Sequence, residues 1–280
     1  LDDYSALSEF TSDNLHKVGK LFQPRSAKWF VQRSNVGNTG ADYYFAKNPE
    51  YGAVFTYHLS KEYKTQKSLR QKREKELNKA EKNVPFPGWE ALDAEKQEMP
   101  AQVILTIEDQ QGNVINKVKK KASKGSHRIA WNLEHFNPFA ISMNGRSRRG
   151  GGALATPGTY QATLHLEKDG NVTKLDGPIS FEVKPIREGV LKGASYAEYN
   201  AFRTDLTSFI QQISEVQDKF DQSKKKLKAL STAVDRSKLS PGSLEPKLAD
   251  LKAAIASVDF MLEGSPSREE IGERNPSGVQ

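Results

Sequence analysis

A chain of 280 residues without a single cysteine is long enough for one or two domains with a real core. It can form no disulfide, no thiolate metal site and no cysteine nucleophile. The formal charge of +7 and pI of about 9.3 suit an anionic partner, but acidic and basic residues alternate along most of the chain. The one dense basic run, residues 117–124, is short, so the pattern does not favour nucleic acid. The mean hydropathy of -0.69 fits elongated elements with much surface. No apolar run approaches the ~20 residues that span a bilayer. The chain begins at Leu1, with neither an initiator Met nor a signal-type stretch, and reads as a fragment or a processed product.

Residues 1–21 are polar and without period, and are expected to form a lead-in segment. From Phe22 the texture becomes β-rich. Ala27-Lys28-Trp29-Phe30-Val31 and residues 52–59 read as strands, with a turn-rich loop at 35–40 between them. Residues 60–83 are dense in Lys, Arg, Gln and Glu. The spacings Arg70/Glu74 and Lys72/Glu76 suit a solvated helix, with Ser60 as its expected cap and Trp89 and Leu92 tacking this insertion back onto the body. Residues 102–108, 114–118, 125–133, 161–166 and 179–183 continue the strands, joined by Gly, Asn and Asp turns. Five- to eight-residue strands with such turns predict an antiparallel immunoglobulin-like β-sandwich over 22–186, with the helical insertion at 60–83.

Beyond Pro185 the period changes to three and four. Phe202, Leu206, Phe209, Ile213, Val216 and Phe220 form one stripe, and Leu244, Leu248, Leu251, Ile255, Val258 and Leu262 form a second after a Pro-Gly break. Matching seams predict a long antiparallel two-helix hairpin over 187–263, followed by a polar tail at 264–280. The fold class expected is all-β plus α.

The ordered series 52–59, Val103 to Asp109 with Gly112-Asn113-Val114, His127-Arg128-Ile129-Ala130-Trp131 and Pro157-Gly158-Thr159-Tyr160 resembles the C-terminal region of bacterial BNR-repeat (Asp-box) β-propeller proteins, the sortilin-like or "glycosyl hydrolase" group. The β part is also similar to the immunoglobulin-like domain of the flagellar hook-capping family. The propeller resemblance extends through the charged insertion, the Pro85 to Trp89 segment and the terminal helical pair. The Asp-box itself, Ser-x-Asp-x-Gly-x-Thr/Trp, occurs nowhere in the chain, so the resemblance brings a module and no catalytic residue. It implies export to the periplasm or cell surface, with an upstream propeller or another protein subunit as partner.

The chemistry sought otherwise is thin. His16, His58, His127, His135 and His165 never take a metalloprotease spacing, and no metal or cofactor is expected. Glu108 with Asp109, and Glu134 beside His135, neighbour one another only in sequence; Asp109 fits a turn role better. The loop containing Arg146, Arg148 and Arg149 with three following glycines could grip an anion, although a mobile, solubilising loop is the plainer reading. Together with Lys119 to Lys121 it would make an anion or nucleic-acid site if the two basic stretches converged. Trp29, Trp89 and Trp131 could stack on a sugar, with Trp89 the best placed and Trp131 assigned to the core. The sequon Asn171-Val172-Thr173 falls in a turn.

The sequence therefore points to a non-catalytic accessory module. Phe202, Leu206, Phe209, Ile213, Leu248, Leu251, Ile255 and Val258 are its candidate docking residues, and Trp89 with the three arginines its candidate ligand contacts. The rival reading is the carbohydrate-associated part of a glycoside hydrolase whose catalytic blades lie elsewhere.

Overall fold

The computed structural model describes residues 3–32, 48–141, 151–187, 189, 193–238, 240 and 242–272. The chain mixes α and β structure and divides into two compact units, residues 1–137 with 150–203, and residues 138–149 with 204–280.

The first unit begins with a 3-10 turn, Ser5–Glu9, and a short helix α1 (Ser12–His16) capped by Thr11. Strand β1 (Gly19–Leu21) then pairs antiparallel with β3 (Ala53–Leu59), so the stretch expected as a lead-in supplies a strand whose Leu21 is fully buried. β3 also pairs with β6 (Gly125–Trp131), completing a three-stranded sheet ordered β1-β3-β6. The second sheet has the order β2-β8-β7-β4-β5, from β2 (Ala27–Trp29), β4 (Gln102–Glu108), β5 (Val114–Lys121), β7 (Gly158–Lys168) and β8 (Asn171–Pro185). It is a mixed sheet and not the wholly antiparallel one expected, because β2 runs parallel to β8. No hairpin joins these two strands, so nothing local imposes antiparallel pairing. β8 is a single 15-residue strand that takes in the closing strand expected at 179–183; the β7–β8 register shifts near Ala162 and Leu164 and then resumes.

Strict alternation drives burial. Every second residue of β3 (Ala53, Phe55, Tyr57, Leu59) is buried and those between are half-exposed, as a one-faced strand requires. These side chains join Ile129 and Trp131 of their own sheet and Val103, Leu105, Leu164 and Phe181 of the other in one apolar core. Aromatic edges fasten it. Phe55 and Phe181 lie 5.0 Å apart at 89°, and Trp131 meets Tyr160 at 5.4 Å and Phe181 at 6.1 Å. Such edge-on pairs add about 0.5–1.5 kcal/mol beyond area burial. Trp131 Nε1 donates to Glu134 O (2.8 Å), and the Tyr160 hydroxyl donates to Thr156 O four residues upstream (2.6 Å).

Between β3 and β4 the chain leaves the sheets for α2 (Gln66–Lys79) and α3 (Trp89–Gln97). The cap of α2 is Thr65, whose hydroxyl accepts from Ser68 N, and not Ser60. Arg70 reaches Glu74 one turn on (2.6 Å) and spans to Glu95 of α3 (2.7 Å). Those two carboxylates hold its guanidinium charged even more firmly than usual.

Helix α4 (Tyr196–Asp235) runs 40 residues. At 1.5 Å per residue that is about 60 Å. Its start is a reciprocal capping box: Ser195 N and Oγ donate to Glu198 Oε2, and Glu198 N donates back to Ser195 Oγ, the pairing expected of Ser-x-x-Glu. In the second unit α4 is followed by α5 (Leu244–Glu263) and the short α6 (Pro266–Glu270). Lys224 Nζ reaches Asp259 Oδ1 of α5 at 3.0 Å and Asp221 at 3.5 Å.

Candidate interaction surface

The stripe anticipated on α4 is present and open to solvent. Phe202 is 65% exposed, Leu206 42% and Phe209 57%, whereas a side chain in a closed helical seam is largely buried. Ile213 is half-buried. The flank one step round the helix is the covered one. Arg203, Thr207, Ile210 and Gln217 are half-buried, and Ser214 is the only buried residue of the helix. Ser214 Oγ accepts from Ala140 N at 2.8 Å. Leu248 and Ile255 of α5 are half-buried, while Leu251 and Val258 are exposed. No residue of α5 is buried. The two helices thus leave much of their matching apolar seams uncovered. Tyr199, also exposed, extends the α4 stripe by one step of three; the same spacing in the sequence would have found it.

Trp89 stands at the first position of α3, 73% exposed, so it does not fasten the insertion to the sheets. It packs on Phe86 at 5.0 Å with the ring planes 68° apart, an edge-on pair and not the flat platform that stacks on a sugar. A pocket of about 620 Å³ between α2 and α3 is lined by Leu69, Arg70, Pro85, Phe86 and Glu95 among others. Trp131 is buried in the core, and Trp29 donates to Ala155 O at 2.7 Å.

Arg146, Arg148 and Arg149 lie outside the described residues. Lys119 and Lys120 lie on β5 and are engaged, Lys119 with Glu167 (2.8 Å) and Lys120 with Arg128 O (2.6 Å). A groove of about 1200 Å³ in the first unit gathers Arg25, Lys28, Lys120 and Arg128. Arg25 pairs with the Asp3 carboxylate (3.2 Å), Arg128 donates to the Asp3 carbonyl and Lys120 to the Arg128 carbonyl, so the chain itself answers three of those cations.

The titratable groups have local duties. Asp109 Oδ1 accepts from Gln111 N and Asn113 N, both at 2.9 Å, closing the β4–β5 turn. Burial, helped by the nearby Arg203 charge, pushes the His135 pKa down to about 4 against a weaker pull from Asp109. This imidazole is therefore neutral at pH 7. His58, His127 and His165 contact Ser126, Ser123 and Thr106. Among the described residues no group of three His, Cys, Asp or Glu is placed to hold a metal ion, and no helix is long and apolar enough to cross a membrane.

The chain matches no family model and no curated protein. Its function must be argued from these surfaces.

Proposed function

We propose that the chain is a non-catalytic accessory module: an immunoglobulin-like sandwich carrying a two-helix hairpin, whose open apolar stripe on α4 docks a protein partner. The observation that carries this reading is the exposed series Phe202, Leu206, Phe209. Three large side chains at spacings of four and three form one continuous strip, and such a strip exposed to water marks a protein contact.

Several features support the sandwich assignment. Two sheets share one apolar core, a tryptophan is buried in β6, and a tyrosine near the start of β7 bonds the backbone four residues upstream, all familiar in immunoglobulin-like domains. The hairpin assignment is supported by the Lys224–Asp259 pair between α4 and α5. The resemblance to Asp-box propeller proteins makes an upstream propeller or another subunit the partner, in the periplasm or at the cell surface. The carbohydrate-associated alternative needs a flat aromatic pair, and the edge-on rings of Phe86 and Trp89 do not supply one.

The test is site-specific photo-crosslinking in the cells that produce the protein. Benzoylphenylalanine replacing Phe209 should yield covalent polypeptide adducts on irradiation, whereas the same group replacing Gln211, on another face of the helix, should not. No adduct from position 209, or equal adducts from both positions, would sink the docking reading.

A further inference from the structure

We infer that the partner on this stripe is a second copy of the chain, with the two α4 helices antiparallel about a two-fold axis near Gln212. The inference rests on the docking reading and names its occupant.

Heptad positions follow from the stripe. Phe202, Phe209 and Val216 fall at d, and Leu206, Ile213 and Phe220 at a. The residues just before each a position are Glu198 (one heptad ahead of Asp205), Asp205, Gln212, Lys219 and Lys226. This flank changes sign along the helix, acidic at its N-terminal end, neutral in the middle and basic beyond. A parallel copy in register brings the acidic ends together and the basic ends together, whereas an antiparallel copy sets acidic against basic.

Apolar layers and charges together set the register. Matching a with d across a two-fold axis sets Phe202 on Phe220, Leu206 on Val216 and Phe209 on Ile213, each pair summing to 422. In an antiparallel pair the flanking residues then meet at a sum larger by two. Glu198 therefore meets Lys226, Asp205 meets Lys219, and Gln212 meets its own copy. The apolar layers allow this alignment and its whole-heptad shifts, and the charges select among them.

The structure leaves that side accessible. Glu198, Asp205, Gln212, Lys219 and Lys226 are all exposed, while the opposite flank at Arg203, Ile210, Gln217 and Lys224 is half-buried by the chain's own packing. The exposed side of the stripe is the one that carries the complementary charges; within the chain Glu198 also caps α4 at Ser195, and Lys219 lies 4.0 Å from Glu215.

These pairs cannot form within one chain. Asp205 and Lys219 are fourteen residues apart on one helix, about 21 Å at 1.5 Å per residue. A charge reversal that is rescued by a second reversal at the other position must therefore act between two chains.

The experiment measures the mass of the whole chain by sedimentation equilibrium at low salt over a wide concentration range, with helicity checked by circular dichroism. The wild type should associate to a dimer. Asp205→Lys alone, and Lys219→Asp alone, each turn two attractive pairs into two repulsive ones and should weaken association by about tenfold or more. Mixing the two variants should restore dimerisation as a heterodimer, because every facing pair is then opposite in sign. Should a single reversal lose helicity, the double variant D205K/K219D, which restores all pairs, is read in its place and should dimerise like the wild type. A wild type that stays monomeric, single variants that dimerise unchanged, or a mixture that stays monomeric would each overturn the pairing. A monomeric chain that still crosslinks from position 209 to a different polypeptide overturns self-pairing alone; no adduct of any kind overturns the docking reading with it.

Discussion

Replacing Trp131 by alanine should destabilise the first unit more than almost any other single substitution. The side chain is fully buried, its ring meets Tyr160 and Phe181 edge-on, and its indole N–H donates to Glu134 O. Truncating a buried Trp to Ala costs about 3–5 kcal/mol, because the transfer energy is lost and a cavity remains. The lost hydrogen bond adds little, since Glu134 O keeps a second donor, Asn116 Nδ2, at 2.7 Å. Trp131→Phe should therefore cost much less, about 1–2 kcal/mol, keeping an aromatic ring in the site while giving up volume and one of two donors to a shared carbonyl. Trp89→Ala is the control: at 73% exposure it should change stability by no more than about 0.5 kcal/mol. Urea unfolding followed by far-ultraviolet circular dichroism measures all three. If Trp131→Ala shifts stability by less than about 1 kcal/mol, the ring does not fill a closed core between the sheets and the energetic account given for it fails.

Stability should also fall as pH drops from the ordinary histidine range to about 4. Buried His135 binds its proton only near pH 4, while the unfolded chain binds it near 6.5, so between these values the unfolded state takes up more protons; His135→Gln should flatten that part of a pH series of urea midpoints. Asp176→Asn should cost about 1–2 kcal/mol at pH 7, measured by thermal melting, because this carboxylate accepts from Leu21 N (2.8 Å) and pairs with Lys20 (2.9 Å). Burial alone would raise its pKa, but the Lys20 ammonium and the Leu21 and Gly177 amides hold it below the usual value; its contribution is present above the unfolded-state pKa and should disappear as pH falls through the lowered one. Arg70→Ala should speed amide exchange in α3 and leave the β-strands unchanged, because the ion pairs of Arg70, with Glu74 and Glu95, lie within the excursion; slowed or unaltered exchange in α3 would contradict the bridging role.

What the sequence disclosed was what neighbours along the chain determine. Strand β3 announced itself through the alternation of Phe55, Tyr57 and Leu59 with polar or smaller residues, the Asp109 turn through a side chain that can bond its own backbone, and α4 through a three-four spacing kept for many turns. Long-range pairing was not written there. The three residues of β2 carry no sign that they will lie parallel to β8, more than 150 positions later. The strand expected at 179–183 is the far end of β8, which runs unbroken from Asn171. Helix α3 was missed because Pro85-Phe86-Pro87-Gly88 looks like a stop, whereas Gly88, at a φ of 91°, is the N-cap of the next helix. On the candidate surface the apolar positions of α4 were legible. Their exposure was not, since a seam that closes and a seam that stays open have the same spacing.

The α2–α3 excursion closes on itself at its base, where Gln66 N donates to Glu98 Oε2 at 2.7 Å. The two helices are joined there, and among the described residues neither has a residue buried as a whole. In architectural terms it is a detachable cassette: a short polar loop could join β3 to β4 in its place, and the same two attachment points could accept a different helical pair or a reporter domain. Evolution can lengthen, shorten or exchange such an appendage without renegotiating the core beneath it.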